Sequence, residues 1–475
     1  MKIYNTLSKK EEEFKPLKNN HVGFYTCGPT VYFYAHIGNM RNYIINDLLE
    51  RVLIKNNYTV KHVMNLTDVG HNIGDGDLGE DKIRDEAKKE HKTAEQIIEF
   101  YSNAFFEDAK KLNIIKPDVI SRASENIKQI IEFIEKLNEK GYLYKTETGV
   151  YFDTAKFKEY GKLSGSTFKS LNEQQIGGAR VQRPEGIKNI TDFAVWRFAK
   201  PDEKEMVWDT TFGRGFPGWH IECSTIAYKF LGEQLDIHCG GQDHIQVHHT
   251  NEIAQSESLF EKQFVKYWVH IEFLTVDGKK MSKSLKNIYT INDLEKKGFT
   301  PLSFRFMVIS VHYRKMMNFT FEGLKHYYDA LNSIYAFISK ISVPNEKIGS
   351  IDKEFAKTIK EYKKLFFELV SDDLNIPNAI IKMHEMINYS KKDLNKEETA
   401  VVLTTLLEFD EILGLDFKKH LSSKLPKEAL ELIKERELSR KGKDFEKSDK
   451  LRDKLLKEYK IKIEDTKEGS VWYSV

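Results

Sequence analysis

Histidine and cysteine, two side chains that commonly bind metal ions, are concentrated in one part of this sequence. Six of the fifteen histidines and two of the three cysteines lie between residues 220 and 270. The sequence HHTNE at residues 248–252 predicts the start of a helix, on which His248 and Glu252 lie one turn apart on the same face. Two ligands at this spacing can bind the same ion. Thiolate and imidazole donors favour zinc over magnesium or calcium, so the pattern predicts a zinc site.

Spacing alone leaves the other ligands of this site open. Cys223 is a candidate for the third ligand, and the fourth must come from elsewhere in the chain. Cys27 ends a predicted strand near the N-terminus, where the same cleft is expected. Other residues compete with these candidates: Cys239, His238, His244 and His249. In the alternative interpretation, several of these side chains are simply buried and hydrogen-bonded in the core.

A second chemical pattern lies at residues 21–41, HVGFYTCGPTVYFYAHIGNMR. Residues 22–27 are apolar and β-prone, the Gly-Pro-Thr at 28–30 interrupts the strand, and helical periodicity begins at His36. The free N–H groups and positive dipole of a helix N-terminus can bind phosphate, and Gly38 lets a nucleotide lie close to the backbone. Either this stretch or KMSKS at 280–284 alone would fit another Rossmann-like enzyme. Together, in this order, they resemble the ATP site of class I aminoacyl-tRNA synthetases, and the resemblance implies that ATP binds here.

The composition is that of a globular protein without a membrane segment. A chain of 475 residues is too long for one core, which predicts about two to four domains. Lys plus Arg (74) nearly balances Asp plus Glu (72), so the net charge does not indicate an acidic partner. No apolar run approaches the ~20 residues of a transmembrane helix, and the first residues have no apolar signal core. With only three cysteines, which argues against a disulfide framework, we expect a soluble, cytoplasmic protein.

The order of the predicted elements indicates an α/β fold with an insertion. Residues 58–66 predict a second parallel strand, followed by a Gly- and Asp-rich stretch at 68–82, at the edge where open α/β sheets bind ligands. Residues 141–213 contain short β-like pieces and a glycine-rich stretch, which we interpret as an insertion. The nucleotide-binding fold then resumes with alternating helices and strands.

The C-terminal part is predicted to be helical and locally basic. Residues 301–400 have the periodicity of a helical bundle, and the last residues alternate like a β-hairpin. Between residues 418 and 460, fifteen Lys or Arg stand against nine Asp or Glu. The charge alone fits a solvated helix face equally well. Aromatic residues accompany it, however, and favour an RNA-binding region: Phe445, Tyr459, Trp472 and Tyr473.

Several sequence blocks resemble, in the same order, those of the cysteinyl-tRNA synthetases, a family of class I aminoacyl-tRNA synthetases. The blocks are CGPTVYFYAHIGNMR, NLTDV, PGWHIECS, DIHCGGQDH, HHTNEIAQ, GKKMSKS and KDFEKSDKLRD with IKIEDTKEGSVW. The resemblance covers nearly the whole chain. It implies an α/β fold with a class I synthetase Rossmann-type parallel sheet, an inserted connective segment, an α-helical bundle and a small mixed α/β C-terminal domain.

The resemblance also sets the expected domain boundaries. The two halves of the Rossmann catalytic domain would be residues 1–114 and 215–275, separated by the connective segment at 115–214. The KMSKS loop and junction would occupy 276–310 and the helical bundle 311–405. Residues 406–475 would form the anticodon-binding domain.

The activity implied by the resemblance is that of a cysteine–tRNA ligase. ATP would activate L-cysteine to cysteinyl-adenylate, which is then transferred to the 3′-terminal ribose of tRNA(Cys). Mg²⁺ would accompany ATP, and one zinc ion per chain would select the cysteine thiolate. Matched to the family's motifs, the zinc ligands fall on four residues, in agreement with the spacing argument: Cys27, Cys223, His248 and Glu252.

The other site residues follow from the same match. The family's amino acid pocket falls on Thr67, Trp219 and Asp243. The implied catalytic residues are His36, Asn39, Lys280 and Lys283. Of these, His36 and Lys283 would also bind ATP, together with Gly38.

This sequence departs from the usual family pattern at four positions and in one loop. Asn39 replaces a usual His, Cys239 a Gly, Thr250 a Glu and Lys286 a Gly, and the loop at 68–82 is longer than common. Asn39 keeps a donor amide but cannot carry a positive charge, so we expect weaker help to the triphosphate. None of these departures removes a predicted metal ligand or Lys283.

Two other functions remain to be distinguished. One is an enzyme that joins activated cysteine to a small amine, which would not need residues 406–475. The other is a catalytically inactive RNA-binding relative, which would be expected to lack Lys283 or the metal ligands. Both residue sets are present, which favours the tRNA-charging enzyme.

Overall fold

The computed structural model describes residues 1–70, 82–170, 185–201, 203–282, 284–343, 347, 349–421, 425–466 and 469–474. Two predicted features lie outside these residues. One is most of the Gly- and Asp-rich stretch at 68–82, and the other is Lys283 of KMSKS.

The strands within the described residues belong to five small or medium-sized sheets. In chain order they are β1 (Lys2–Asn5), β2 (Lys10–Glu13), β3 (His21–Thr26), β4 (Thr59–Leu66), β5 (Val119–Arg122), β6 (Leu143–Lys145), β7 (Gly149–Phe152), β8 (Phe193–Phe198), β9 (Gly215–Pro217), β10 (Leu235–Gly241), β11 (Val265–Ile271), β12 (Leu274–Val276), β13 (Lys279–Lys280), β14 (Met317–Phe319), β15 (Ile461–Thr466) and β16 (Gly469–Ser474).

The helices alternate with the strands up to residue 309 and dominate the chain afterwards. They are α1 (Ile37–Lys55), α2 (Lys82–Glu90), α3 (Ala94–Lys111), α4 (Ile127–Glu139), α5 (Trp219–Leu231), α6 (His248–Phe260), α7 (Ile291–Lys296), α8 (Pro301–Ile309), α9 (Phe321–Ile341), α10 (Lys353–Val370), α11 (Ile376–Tyr389), α12 (Lys396–Leu413), α13 (Lys427–Lys441) and α14 (Phe445–Tyr459). None of the described helices combines the length and the apolar composition that a membrane crossing requires.

A five-stranded parallel sheet forms the centre of the molecule, in the order β11-β10-β3-β4-β5. The chain enters this sheet at β3, builds outward through β4 and β5, and returns to the other side of β3 through β10 and β11. The strand order therefore reverses between β3 and β10, the place where open α/β sheets bind ligands. Every residue of β10 is buried, as expected for a parallel strand covered on both faces.

Helix α1 is buried on its polar side as well as its apolar side. The apolar residues predicted to share one face are at most 2% exposed: Ile37, Met40, Ile44, Ile45, Leu48, Leu49, Val52 and Leu53. On another side, the buried carboxylate of Asp47 pairs with Arg51 at 2.9 Å and with Arg305 at 2.5 Å. Because losing one partner of a buried ion pair costs about 3–5 kcal/mol, this contact holds α1 firmly to α8.

The inserted part forms its own antiparallel sheet in the order β6-β7-β8-β9. Helix α4 covers this sheet, and Phe133, Phe152 and Trp196 belong to their shared hydrophobic core. Strand β5 also lies within the range 115–214 that we assigned to the insertion, but it pairs with β4 in the central sheet. The central sheet therefore continues beyond residue 114.

After β11 the chain leaves the central sheet for a small three-stranded sheet, β13-β12-β14, which carries the start of KMSKS. Helices α9 to α12 then form the bundle expected from the sequence. Position 406, where we placed the last domain boundary, lies inside α12, whose Leu406, Phe409 and Leu413 are buried in the main core.

The chain from residue 425 onward has a hydrophobic core of its own. Helices α13 and α14 and the antiparallel pair β15-β16 contribute to it, with Ile433, Leu455 and Ile463 among its members. Trp472 is also part of this core and only 3% exposed, so its ring is not available to an RNA base. Phe445, by contrast, is 60% exposed at the start of α14.

Candidate active site and metal centre

The carboxyl ends of β3 and β10 open onto a cavity of about 340 Å³ at the point where the strand order reverses. Most of the site residues predicted from the sequence line this cavity: Cys27, His36, Asn39, Thr67, Trp219, Cys223, Asp243 and His248. Glu252, Gly38 and Lys280 do not belong to the lining. The central sheet thus brings together residues from both halves of the sequence.

Cys27, Cys223, His248 and Glu252 each contribute one ligand atom to a common point, and these atoms all lie within 4.8 Å of one another. Cys27 follows β3, Cys223 lies on α5, and the other two lie one turn apart on α6, with His248 Nε2 3.0 Å from Glu252 Oε1. Cys223, His248 and Glu252 are at most 2% exposed, whereas Cys27 is partly exposed.

A second group of possible ligands overlaps with the first. Cys27 and Glu252 also lie within 4.8 Å of His238 and His249, two of the competitors left open by the spacing argument. Neither of these histidines lines the cavity, whereas Cys223 and His248 both do. An ion bound by the first group could therefore contact a substrate in the cavity. An ion bound by the second group would lie behind the cavity wall.

The chemistry of the first group fits a soft or borderline divalent cation. Glu252 Oε1 is buried and lies 3.0 Å from His248 Nε2, but among the described residues no contact to this oxygen has the geometry of a hydrogen bond. A buried carboxylate oxygen without a donor is costly, and a cation at this point would remove that cost. Two thiols, an imidazole and a carboxylate within bonding reach of one ion make a donor set suited to zinc.

The four candidate ligands differ in how readily they ionise. Burial raises the pKa of the Cys27 thiol, and, against the effect of burial, Glu252 raises the pKa of His248 to about 10, so both must lose a proton to bind a metal. A hydrogen bond with the Cys27 thiol lowers the pKa of Cys223 to about 6, against the opposing effect of burial. Burial raises the pKa of the Glu252 carboxyl, but His238 and His248 outweigh it and lower the value to about 2. The cluster thus holds a carboxylate and a readily formed thiolate, the forms that bind metals.

A shell of histidines orients the candidate ligands. His220 Nδ1 lies 2.9 Å from His248 Nδ1, which leaves Nε2 of His248 directed toward Glu252. On the other side, His238 Nε2 lies 3.0 Å from Glu252 Oε2. Such partners fix the tautomer and direction of a metal-binding side chain. The sequence analysis did not single out His220, although it lies in the same histidine-rich region.

The predicted amino acid pocket adjoins this cluster. The rings of Trp219 and His248 are 4.4 Å apart between centroids. Asn65 links Thr67 to the turn after β3. Its Nδ2 donates to the Thr67 hydroxyl at 3.0 Å, and its Oδ1 accepts from the N–H of Gly28 in that turn at 2.9 Å. Asn65 was missed from the sequence, although it precedes Thr67 in the block NLTDV. A Cβ at Gly28 would lie 1.6 Å from the Asn65 carbonyl oxygen, so only glycine fits this turn.

His36 and Asn39 cap the N-terminus of α1 reciprocally. The N–H of Asn39 donates to His36 Nδ1 at 3.2 Å, and the N–H of His36 donates to Asn39 Oδ1 at 3.1 Å. Burial lowers the pKa of His36, so its ring is neutral and carries its proton on Nε2. Asn39, the first departure from the family pattern, therefore serves as a capping residue in this chain.

The segment that begins with KMSKS packs against the same helix terminus. A Cβ at Gly38 would lie 2.3 Å from Met281 Cε, so the absence of a side chain there allows this close contact. The N–H of Ile37 donates to the Tyr289 carbonyl at 2.8 Å. Lys280 lies on the exposed strand β13, outside the cavity lining, and Lys283 lies outside the described residues.

Two of the other departures have clear structural positions. Lys286 adopts a left-handed backbone conformation with φ +51°, which explains why glycine suits this position. Cys239 is 1% exposed and belongs to neither group of possible metal ligands, and burial raises the pKa of its thiol. It is therefore not among the candidate ligands.

Comparisons with known proteins agree with this fold. Residues 13–328 match the family described as tRNA synthetases class I (C) catalytic domain. The cysteine–tRNA ligase of Thermococcus onnurineus is 41% identical, and the alignment covers 99% of this chain and 98% of that protein. Cysteine–tRNA ligase 1 of Burkholderia lata is 39% identical over 98% of this chain and 95% of that protein.

Solved structures of the same class share the fold. Methionyl-tRNA synthetase of Mycobacterium tuberculosis in complex with methionyl-adenylate superposes with a TM-score of 0.57 at 14% identity, over 85% of this chain and 92% of that one. A putative arginyl-tRNA synthetase of Campylobacter jejuni gives 0.51 at 14% identity, over 86% and 93%. The parallel sheet and the match over its length define a class I aminoacyl-tRNA synthetase. Within this class, the chain belongs to the cysteine–tRNA ligase family.

Proposed function

We propose that this enzyme activates L-cysteine with ATP and transfers it to the 3′-terminal ribose of tRNA(Cys). In the first step the cysteine carboxylate attacks the α-phosphate of ATP, and pyrophosphate leaves. In the second, a ribose hydroxyl attacks the carbonyl of cysteinyl-adenylate, and AMP leaves. The observation that carries the proposal is one cavity lined both by the thiol and imidazole cluster and by the capped N-terminus of α1.

In this proposal, the buried end of the cavity binds the amino acid. One zinc ion would be held there by Cys27, Cys223, His248 and Glu252. As a Lewis acid it would prefer a thiolate to a hydroxyl. Thr67, Trp219 and Asp243 position the rest of the amino acid. Shape alone distinguishes near-isosteric side chains such as those of cysteine and serine by only ~10- to 200-fold. A donor set that recognises the thiol therefore makes a separate editing site unnecessary.

The other end of the cavity positions ATP. Its Mg²⁺-bound phosphates lie at the N-terminus of α1, where the backbone N–H groups, the His36 ring and the Asn39 amide are donors. Gly38 permits close approach of the nucleotide. Lys280 and Lys283 approach the phosphates from the KMSKS loop and stabilise their charge, Lys283 being the main partner. The reaction needs in-line positioning and charge stabilisation more than covalent help from the protein.

The C-terminal region from residue 425 binds the anticodon of the tRNA in this proposal. It has its own core and carries basic side chains on α13 and α14, with the exposed Phe445 available for stacking. Full-length enzyme should charge a tRNA with the anticodon GCA, and a tRNA with an altered anticodon much less. Equal charging of both would mean that this region does not read the anticodon. Because the proposed substrates, tRNA(Cys), ATP and L-cysteine, are found in the cytoplasm, we still predict a cytoplasmic location.

Cysteine-dependent ATP–pyrophosphate exchange, measured with purified protein, tests the first step, and charging of tRNA(Cys) tests the second. We expect both activities, and little exchange with serine. Exchange without charging would favour an enzyme that joins cysteine to a small amine. No exchange, together with retained tRNA binding, would indicate an inactive RNA-binding relative. Ready exchange with serine would contradict the proposed role of the thiol-recognising cluster.

A further inference from the structure

Three aromatic side chains at the mouth of the cavity have not been assigned a role in the proposed adenylate chemistry. Phe33, Tyr34 and Phe100 are 40%, 41% and 44% exposed. Phe33 and Tyr34 line the cavity, and Phe100 lies further out, with its ring centroid 6.0 Å from that of Tyr34. We refer to these three residues as the aromatic platform. Exposed apolar side chains grouped at one place commonly mark a binding site.

A buried tyrosine holds the platform in place. Tyr101 is 4% exposed, and its ring centroid lies 6.1 Å from that of Phe33 and 5.1 Å from those of Tyr34 and Phe100. Its hydroxyl donates to the Glu90 carboxylate at 2.6 Å. Because the rings are already packed against an anchored neighbour, binding a ligand on them costs little side-chain entropy.

An ion pair lies beside Phe100, the platform ring that does not line the cavity. The Lys92 ammonium is 4.8 Å from the centroid of the Phe100 ring and 2.7 Å from the Glu90 carboxylate. The platform therefore combines exposed ring faces with a cation beside the ring that lies farthest from the cavity. Proteins that bind single-stranded nucleic acids combine stacking aromatics with basic side chains along the backbone in this way.

We propose that the aromatic platform binds the unpaired 3′-terminal nucleotides of the tRNA and directs the last ribose into the cavity. This inference rests on the proposed function, in which that ribose must reach the activated cysteine. Stacking suits this task because every base has a π face. Since two of the three rings also line the cavity, a base stacked on them lies at its entrance. A second protein molecule seated on the same rings would cover that entrance, which disfavours a protein partner.

Substitutions of Phe100 test the platform without altering the cavity lining. Phe100→Ala should lower kcat/KM for tRNA on the order of 10-fold, the effect of losing one stacked base, and leave cysteine-dependent pyrophosphate exchange unchanged. Phe100→Leu keeps an apolar contact with Tyr101 but has no π face, so it should remain impaired. Phe100→Trp keeps a π face, so this variant should charge tRNA as the wild-type enzyme does. Full activity in Phe100→Leu with loss in Phe100→Trp would show a packing role and overturn the proposal.

A shortened tRNA provides the matched control. Wild-type enzyme and Phe100→Ala should bind tRNA lacking its unpaired 3′-terminal nucleotides equally, and differ only with complete tRNA. In the Phe100→Trp variant, complete tRNA should change the added tryptophan fluorescence, and shortened tRNA should not. If Phe100→Ala weakens binding of both RNAs alike, or charges complete tRNA normally, the platform does not bind the 3′ end. Failure of the proposed function would appear differently, as a lack of exchange or charging in the wild-type enzyme.

Discussion

The two ends of the active-site cavity are constructed in opposite ways. The candidate metal ligands Cys223, His248 and Glu252 are buried on core helices and are oriented by a second layer of histidines. At the nucleotide end, Asn39 and Lys280 are exposed, on a helix terminus and on a short edge strand. A fixed end suits recognition of one small side chain, whereas an exposed end suits a phosphate chain that must enter and leave.

This difference also explains two of the four positions at which the sequence departs from its family. Asn39 and Lys286 lie at or beside the nucleotide end, whereas Cys239 and Thr250 are buried and are not members of the ligand cluster. Asn39 replaces the missing histidine with a different contact, a reciprocal cap with His36. An exposed terminus can accept such exchanges, because water satisfies groups that lose a partner. A buried ligand set cannot, because an unpaired group there is costly.

The largest effect should come from removing a candidate metal ligand at the buried end of the cavity. Cys223→Ala removes one of the two proposed thiolate ligands, so the purified variant should contain little zinc. Its cysteine-dependent exchange should fall by about 10³-fold, since the substrate thiol loses both binding and orientation. Elemental analysis and exchange kinetics provide the measurements. Cys239→Ala is the matched control: it removes an equally buried thiol outside the cluster and should keep the zinc.

Removing a lysine proposed to bind the ATP phosphates should reduce the rate of adenylate formation and leave amino acid binding intact. Lys283→Ala should lower adenylate formation by about 10²- to 10³-fold, the usual effect of losing one preorganised charge donor. Cysteine affinity, measured by equilibrium titration, should hardly change because the buried end holds the amino acid. A parallel fall in affinity would show that the two ends are not independent. Lys279→Ala, on the neighbouring edge strand, serves as the control.

A smaller effect should follow from removing the support behind one ligand. His220→Phe keeps the volume of the ring but removes the nitrogen that lies 2.9 Å from His248. Loss of such a partner typically weakens metal binding about 10- to 100-fold. Competition with a chelator would measure this change. Zinc retention equal to that of the wild-type enzyme would mean that His248 is oriented by its helix alone.

The smallest effect is expected at Lys286. Lys286→Gly should relieve the cost of the left-handed backbone, worth about 1 kcal/mol, while adding entropy to the unfolded chain. The two contributions nearly cancel, so the thermal unfolding midpoint should change little. Exchange should stay within about two-fold of wild type, because the exposed end tolerates adjustment. A large loss of exchange would show that the Lys286 side chain itself contacts ATP.

Local patterns in the sequence predicted the secondary structure of the catalytic part well. The helix at HHTNE begins at His248, and the helix after the first motif begins at Ile37, next to its cap His36. Parallel strands were predicted at the positions of β3, β4 and β10. These signals are local, since they depend on side-chain periodicity and on cap residues within a few positions.

Other expectations depended on contacts that local patterns do not contain. Alternation along the last strand did predict a hairpin, but Trp472 points into a core shared with α13 and α14 instead of toward solvent. The edge strand β5 was assigned to the insertion, because nothing in four residues shows which strand will pair with them. Likewise, no local pattern shows that Asp47, a polar residue of α1, is buried beside Arg305, far along the chain.

The sequence by itself determined which donors were available and on which elements they lie: soft ligands, a phosphate-binding helix terminus and a lysine-bearing loop. Only the tertiary structure decided which of them meet. The reversal of strand order between β3 and β10 places Cys27 beside Cys223 and His248, and leaves His238 and His249 behind the cavity wall. The packing of α3 against the loop after β3 gathers Phe33, Tyr34 and Phe100 around Tyr101 at the entrance. Residue type and spacing act over a few positions, whereas this arrangement is set by the pairing of strands that are distant in the chain.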